Sequence, residues 1–429
     1  MPNHSALPGF RDFYPEDFTV RAHIVHAWRD VARRYGFEEY DGPPLEPLDL
    51  YTEKSGQEIV GQLYAFEDKG GRQVALRPEM TPTLARMAGA RAGSLRKPVR
   101  WFTVPQLFRY ERTQRGRLRE HFQWNVDILG EGAIEADAEV LAVALDALRQ
   151  LGLGAEHVVA RFNDRRLLEA VLRHGGVPDE ALAATYAVID KLGRESAERT
   201  RERLETEAGL TPAAVATVLE LPAMTELADV AERWGGVPAV AAEVERLETY
   251  GAVLAELGFG AWVRFDPSIV RGLAYYTGTV FEIFDRQGEL RAICGGGRYD
   301  RLLGALGGSD LPAVGFGMGD VVLRELLAEH GLLPDTAPRV DYYVVCVSEA
   351  ERPLGRRVAQ ALRAAGWSVG YDLRGAGMGR QFKNADARGA ARVVVLGPDE
   401  VAAGVAVVRD MSAGEEQRVP LAELLLEAG

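Results

Sequence analysis

The stretch FRYERTQRGRLREHFQWNVDIL, Phe108–Leu129, gathers an unusual set of side chains on alternate positions. From Leu118, one face reads Leu118, Glu120, Phe122, Trp124, Val126 and Ile128; the other reads Arg119, His121, Gln123, Asn125 and Asp127, polar throughout. FRYER alternates in the same way, with Phe108 and Tyr110 on one side and Arg109 and Glu111 on the other. The spacing predicts two antiparallel strands joined by a TQRGR loop around Gly116. A solvent-facing side of a sheet fits that alternation too, but such faces favour Lys, Glu and Thr. Arg112, Arg115, Arg117 and Arg119 in and beside the loop add planar, permanently charged forks suited to phosphate oxygens. One strand thus offers acceptors to a polar organic ligand, and the loop offers phosphate clamps.

Other candidates lie elsewhere. LRPEMTPTLARM holds Glu79 just before a helix that Thr81 caps, with Pro82 at its first position; Glu79 either serves that helix start or accepts from a ligand ammonium. VRGLAYYTGTVFE sets Arg271 beside Gly272, whose missing Cβ lets backbone approach a ligand, and is followed by Tyr275 and Tyr276. CGGGRYD and AVGFGMG are glycine-rich, the first read as a turn, and neither has the spacing of a phosphate loop or dinucleotide fingerprint.

The elements that must position these groups follow from the rest of the chain. At 429 residues it is too long for one compact core, and its 47% hydrophobic and 26% charged content is that of a globular protein. A net charge of −13 argues against coating nucleic acid non-specifically while leaving room for a local basic patch. Two cysteines, Cys294 and Cys346, form no disulfide framework or zinc spacing, which suits a reducing cytoplasm. No signal-peptide pattern opens the chain, and no apolar run approaches the roughly 20 residues of a membrane span. A helix is predicted from Pro15 to about Arg34, a hairpin at LYAFED–KGGR–QVALRP, and an amphipathic helix at EADAEVLAVALDALRQLG. Residues 167–257 read as a charged helical insertion, strands return in 258–330, 331–340 is a proline-containing linker, and 341–429 has the βαβαβ pattern of a separate, mostly parallel domain.

Taken together, these motifs resemble the class II aminoacyl-tRNA synthetases, and within them the histidyl-tRNA synthetase family. YGFEEYDGPPLEP resembles motif 1, with Pro43 at its proline, and Phe108–Gly130 resembles motif 2. RPEMT, RGLAYYTGTVFE and GGGRYD resemble segments peculiar to the histidine enzymes. The resemblance implies an α/β (α+β) fold: an antiparallel catalytic sheet flanked by helices and formed by 1–166 and 258–330, the helical insertion, and a C-terminal α/β anticodon-binding domain. It implies activation of histidine by ATP with Mg²⁺, then transfer to tRNA(His), in a cytoplasmic homodimer. Glu79, Thr81, Gln123, Asp127, Tyr275, Tyr276 and Tyr299 would bind histidine. Arg109, Glu111, Arg117, Arg271, Gly315, Gly317 and Gly319 would bind ATP, with Arg109, Arg271 and Glu111 catalytic. Arg119, Arg374, Arg380, Lys383 and Arg388 would meet tRNA, Phe382 lying among the last four. No resident metal is implied.

Three positions depart from the family pattern: Met80 stands where glycine is usual, Ala274 where aspartate is usual, and Val322 where an arginine stacks on adenine. Arg324, about 200° further round a helix, cannot take that place. A catalytically inactive, histidine-sensing relative, similar to the regulatory subunit of ATP phosphoribosyltransferase, and a pure tRNA- or kinase-associated sensor are the competing expectations. Such a subunit lacks an anticodon-type domain and the arginine at Arg271.

Overall fold

A computed structural model describes residues 5–52, 60–192, 195–271, 275–288, 290–305 and 311–426. Two compact units divide at Pro334 and Asp335.

The first unit is built on a sheet whose strands run, in spatial order, Glu38–Glu39, Val99–Thr103, Glu120–Leu129, Ala313–Gly319, Cys294–Arg298, Thr279–Asp285, Val158–Asp164 and Val263–Phe265. Pairing is antiparallel except at the two edges, and the short strand Gln106–Phe108 pairs with the outer half of Glu120–Leu129. The predicted apolar face packs inward from Trp124 onward, whereas Leu118, before the strand, lines a cavity on the other side. Trp124, Val126 and Ile128 bury against the helices Pro15–Arg34 and Ile134–Gln150, where Trp28 stacks on Trp124 at 6.0 Å. Each such side chain contributes about 2 kcal/mol of apolar burial. Glu120 is the exception on that face; Arg11 neutralises it from 109 residues away with a 2.6 Å bond from Nε.

The CGGGRYD segment corrects the sequence reading: Cys294–Arg298 is a strand, not a turn. Its register sets Gly295 opposite Gly317 and Gly297 opposite Gly315. Glycine is required here by crowding. A Cβ on Gly295 would overlap the Arg271 guanidinium, and one on Gly297 would approach the Tyr276 ring to 3.0 Å. Glycine reads as a turn in sequence because the side chains that need its space come from distant segments.

The region 165–256 is helical, from Arg165–His174 to Pro238–Glu256, and Val240, Val244, Leu247 and Leu254 of the last helix join the same core as the sheet.

The second unit has three parallel strands, Val369–Tyr371, Val340–Cys346 and Ala390–Leu396. An antiparallel pair, Val405–Asp410 and Glu416–Pro420, extends the sheet beyond the expected pattern. The helix Arg352–Ala364 covers one face and Met378–Ala387 the other.

Candidate active site

The polar face of Glu120–Leu129 is the floor of two joined cavities. The smaller, of about 80 Å³, is lined by Glu79, Thr81, Gln123, Asn125, Asp127, Tyr275, Tyr276 and Tyr299, so all seven residues expected to hold histidine meet there. The larger, of about 730 Å³, has Glu111, Arg117, His121 and Glu282 in its wall. Arg109, Gln123, Arg271, Gly295 and Gly317 belong to both linings.

Local backbone explains why these side chains converge. The strand Ala313–Gly319 sets Gly315, Gly317 and Gly319 opposite Asp127, Asn125 and Gln123. A Cβ on Gly315 would overlap the Asp127 carboxylate, and one on Gly317 would lie 2.8–2.9 Å from the Gln123 amide. These glycines therefore make room for protein side chains rather than for a stacked base. Gly317 and Gly319 line the larger cavity, but Gly315 lines only the smaller one, which moves it away from the expected ATP site.

Asp127 is buried, accepts a hydrogen bond from the Tyr299 hydroxyl, and has its carboxyl pushed up to about 7 by loss of water, with the tyrosine bond pulling the other way. Tyr299 is in turn raised well above the usual phenol range, by burial first and then by that carboxylate. Its ring lies 5.8 Å from Tyr275, which lies 4.8 Å from Tyr276. The result is an aromatic-walled pocket ending in a buried carboxyl.

Thr81 does not cap its helix. Met80 occupies that place with no side-chain cap, and Thr81 is the first helical residue, lining the small cavity. Met80 itself is buried.

Between the cavities, Arg109 is held by an Nε bond of 2.8 Å to the Pro78 carbonyl. Arg271 has φ of +51°, a left-handed conformation that non-glycine residues seldom adopt. Arg165 bonds the Arg271 carbonyl at 2.8 Å, the Arg271 guanidinium donates to Glu282 at 3.2 Å, and its Nε is buried with no hydrogen-bond partner among the described residues. Gly272 and Ala274 lie outside the described residues. In the larger cavity Glu111 pairs with Arg117. His121 is held down to about 3 by burial and then by Arg109 and Arg11, so it presents a neutral ring.

Arg119 lines neither cavity. Its backbone bonds Gly9, and its guanidinium sits 4.1 Å over the Tyr110 ring, so the strand alternation breaks at that residue. Sequence reading singled out neither His121 nor Glu282 nor Arg291 as a site residue. His121 was legible on the polar face, and Glu282 is set by its register opposite Gly295. Arg291 carries no periodic signal. In the second unit Arg374, Arg380, Lys383 and Arg388 are exposed along and beside the helix Met378–Ala387, and Phe382 is half-buried against the core. Among the described residues, no group of three His, Cys, Asp or Glu could hold a metal ion, and no helix is long and apolar enough to cross a membrane.

The histidyl-tRNA synthetase family profile matches residues 9–320, and an anticodon-binding domain profile matches 341–427. The chain belongs to the histidyl-tRNA synthetase family. It is 43% identical to the histidine–tRNA ligase of Opitutus terrae over 98% of this chain and 97% of that one. Its fold is similar to that of histidyl-tRNA synthetase from a Nostoc species, with a TM-score of 0.83, 25% identity and coverage of 100% and 99% of the two chains. A Bacillus halodurans protein described as an ATP phosphoribosyltransferase regulatory subunit/histidyl-tRNA synthetase shares the fold at a TM-score of 0.76 and 22% identity, covering 92% of this chain and 99% of that one. The synthetase family accounts for both units and for ATP use.

Proposed function

We propose that the small cavity binds histidine, the large one binds ATP, and the two arginines between them act on the α-phosphate. As a histidine–tRNA ligase the chain carries out two steps. A carboxylate oxygen of histidine attacks the α-phosphorus, the bond to pyrophosphate breaks, and histidyl-adenylate forms. A terminal ribose hydroxyl of tRNA then attacks the acyl carbon and AMP leaves. The observation that carries this reading is the shared wall: Arg109, Arg271 and Gln123 line both cavities, where a carboxylate from one side meets a phosphate from the other.

No side chain needs to become a nucleophile. Positioning and charge stabilisation on the phosphoryl oxygens supply the catalysis. Asp127 accepts the imidazole N–H, and Glu79, Thr81 and Gln123 hold the amino and carboxylate ends. A ligand without the imidazole leaves Asp127 and Tyr299 short of a partner, which rejects it by roughly 10⁴–10⁵-fold. Glu111, Glu282 and Asp190 are the carboxylates lining the large cavity, and the first two fit as oxygen donors for Mg²⁺ entering with ATP. That ion would neutralise phosphate charge.

The exposed basic residues Arg374, Arg380, Lys383 and Arg388 meet tRNA phosphates. Pairing of two copies into a homodimer, which the likeness of the Pro43 segment to motif 1 implies, completes the reading. A reducing cytoplasm suits the two free thiols. The test is ATP–pyrophosphate exchange with each amino acid in turn. Exchange with histidine alone is expected; histidine binding without exchange would overturn the ligase reading in favour of a sensor.

A further inference from the structure

Arg109 and Arg271 line both cavities whereas Val322 lines the large one alone, so with the phosphates at the two arginines a nucleotide base has the part of the large cavity that includes Val322 open to it. That side chain is valine, buried, and cannot offer the cation that flat bases attract. Another arginine stands beside it. A Cβ built on Gly116 would lie 3.2 Å from Val322 Cγ2 and 3.9 Å from Arg291 Cδ, so both side chains flank one point of the Thr113–Arg117 loop. Arg291 precedes the strand Cys294–Arg298 and lines the same cavity as Val322 and His121.

Its electrostatic state separates it from the other arginines in that wall. Arg109 bonds the Pro78 carbonyl through Nε alone, Arg117 pairs with Glu111, Arg271 with Glu282 and Arg161 with Asp266, so each is anchored by at least one protein partner. Arg291 is exposed and, among the described residues, has no hydrogen bond or ion pair. A guanidinium is planar and weakly hydrated, and it stacks on aromatic faces more readily than an ammonium does. Val322 and the His121 ring add apolar and aromatic surface at the same place.

We propose that Arg291 stacks on the adenine of ATP, supplying from the segment before Cys294–Arg298 the cation that Val322 lacks. The assignment rests on ATP occupying the large cavity. It makes Val322 part of a relocated base site rather than a lesion. Arg291 is a binding residue for the base, with no role in phosphate contact.

The test is pyrophosphate exchange with Arg291→Ala. The KM for ATP rises about 10-fold, while the KM for histidine stays within about twofold, which also reports an intact fold. Inhibition by tripolyphosphate, which has no base, is unchanged. An unaltered KM for ATP would overturn the proposal. Tripolyphosphate inhibition weakened as much as ATP binding would overturn it too, by placing Arg291 on the phosphates. Absence of exchange in the unsubstituted chain would instead remove the ATP reading on which the proposal stands.

Discussion

Arg298, fully buried, and Arg271, partly buried, both lie against the glycine-rich sheet, yet the fold treats them in opposite ways. Arg298 has every nitrogen engaged. Nε donates to both Asp137 oxygens at 3.1 and 3.0 Å, one terminal nitrogen bonds the Glu131 carbonyl and Asp300, and the other bonds Asp137 and the Ala133 carbonyl. Arg271 sits on a left-handed backbone, reaches one carboxylate at 3.2 Å, and leaves its Nε without a partner among the described residues. A structural arginine is closed upon itself, and its charge is consumed. Arg271, which lines both cavities, is held in place by its backbone and keeps a donor in reserve. Arg291 extends the contrast into the larger cavity, where an arginine is kept with no partner among the described residues.

The contrast breaks most sharply when each arginine is removed. Arg271→Ala should lower exchange by about 10³–10⁵-fold, the range lost with a phosphoryl-clamping arginine. Its melting temperature should stay nearly level, because alanine keeps the same Cβ on the left-handed backbone and only one partly exposed ion pair is lost. Arg298→Met should do the reverse, destabilising the fold by roughly 3–5 kcal/mol because Asp137 is left buried and unpaired. Exchange kinetics beside denaturant unfolding of both variants checks the pair, and the same pattern for both would erase the distinction.

A smaller effect concerns Asp127, whose folded-state carboxyl titrates near 7 against about 3.9 in an unfolded chain. A raised value means that the unfolded state gains its charge first as pH rises. The contribution to stability is therefore complete below about pH 4 and is lost between about pH 4 and 7. Asp127→Asn removes this titration. Relative to the unsubstituted chain it should gain roughly 2–4 kcal/mol across that window and level off above it. Unfolding curves at several pH values measure the difference; a gap independent of pH would show that Asp127 ionises freely.

Much of the site was legible because strand alternation separates ligand from core. His121, Gln123, Asn125 and Asp127 face the cavities, while Trp124, Val126 and Ile128 face the helices, as period two requires. What sequence concealed depends on contacts between distant segments. CGGGRYD reads as a turn until Arg271 and Tyr276 occupy the space its glycines leave. Glu120 looks misplaced on an apolar face until Arg11 meets it. Arg119 belongs to the polar alternation, yet Gly9 and Tyr110 draw it elsewhere. Thr81 looks like a cap, but Met80 takes that backbone place. The antiparallel pair after Leu396 carries too short a pattern to separate it from the domain's parallel strands.

The joined cavities are tested most directly by a crystal structure with the non-hydrolysable adenylate mimic 5′-O-(histidylsulfamoyl)adenosine. The imidazole should bond Asp127 beside Tyr299, the sulfamoyl group should lie between Arg109 and Arg271, and the adenine should rest against Arg291. A mimic bound with its sulfamoyl group away from both arginines would contradict the account.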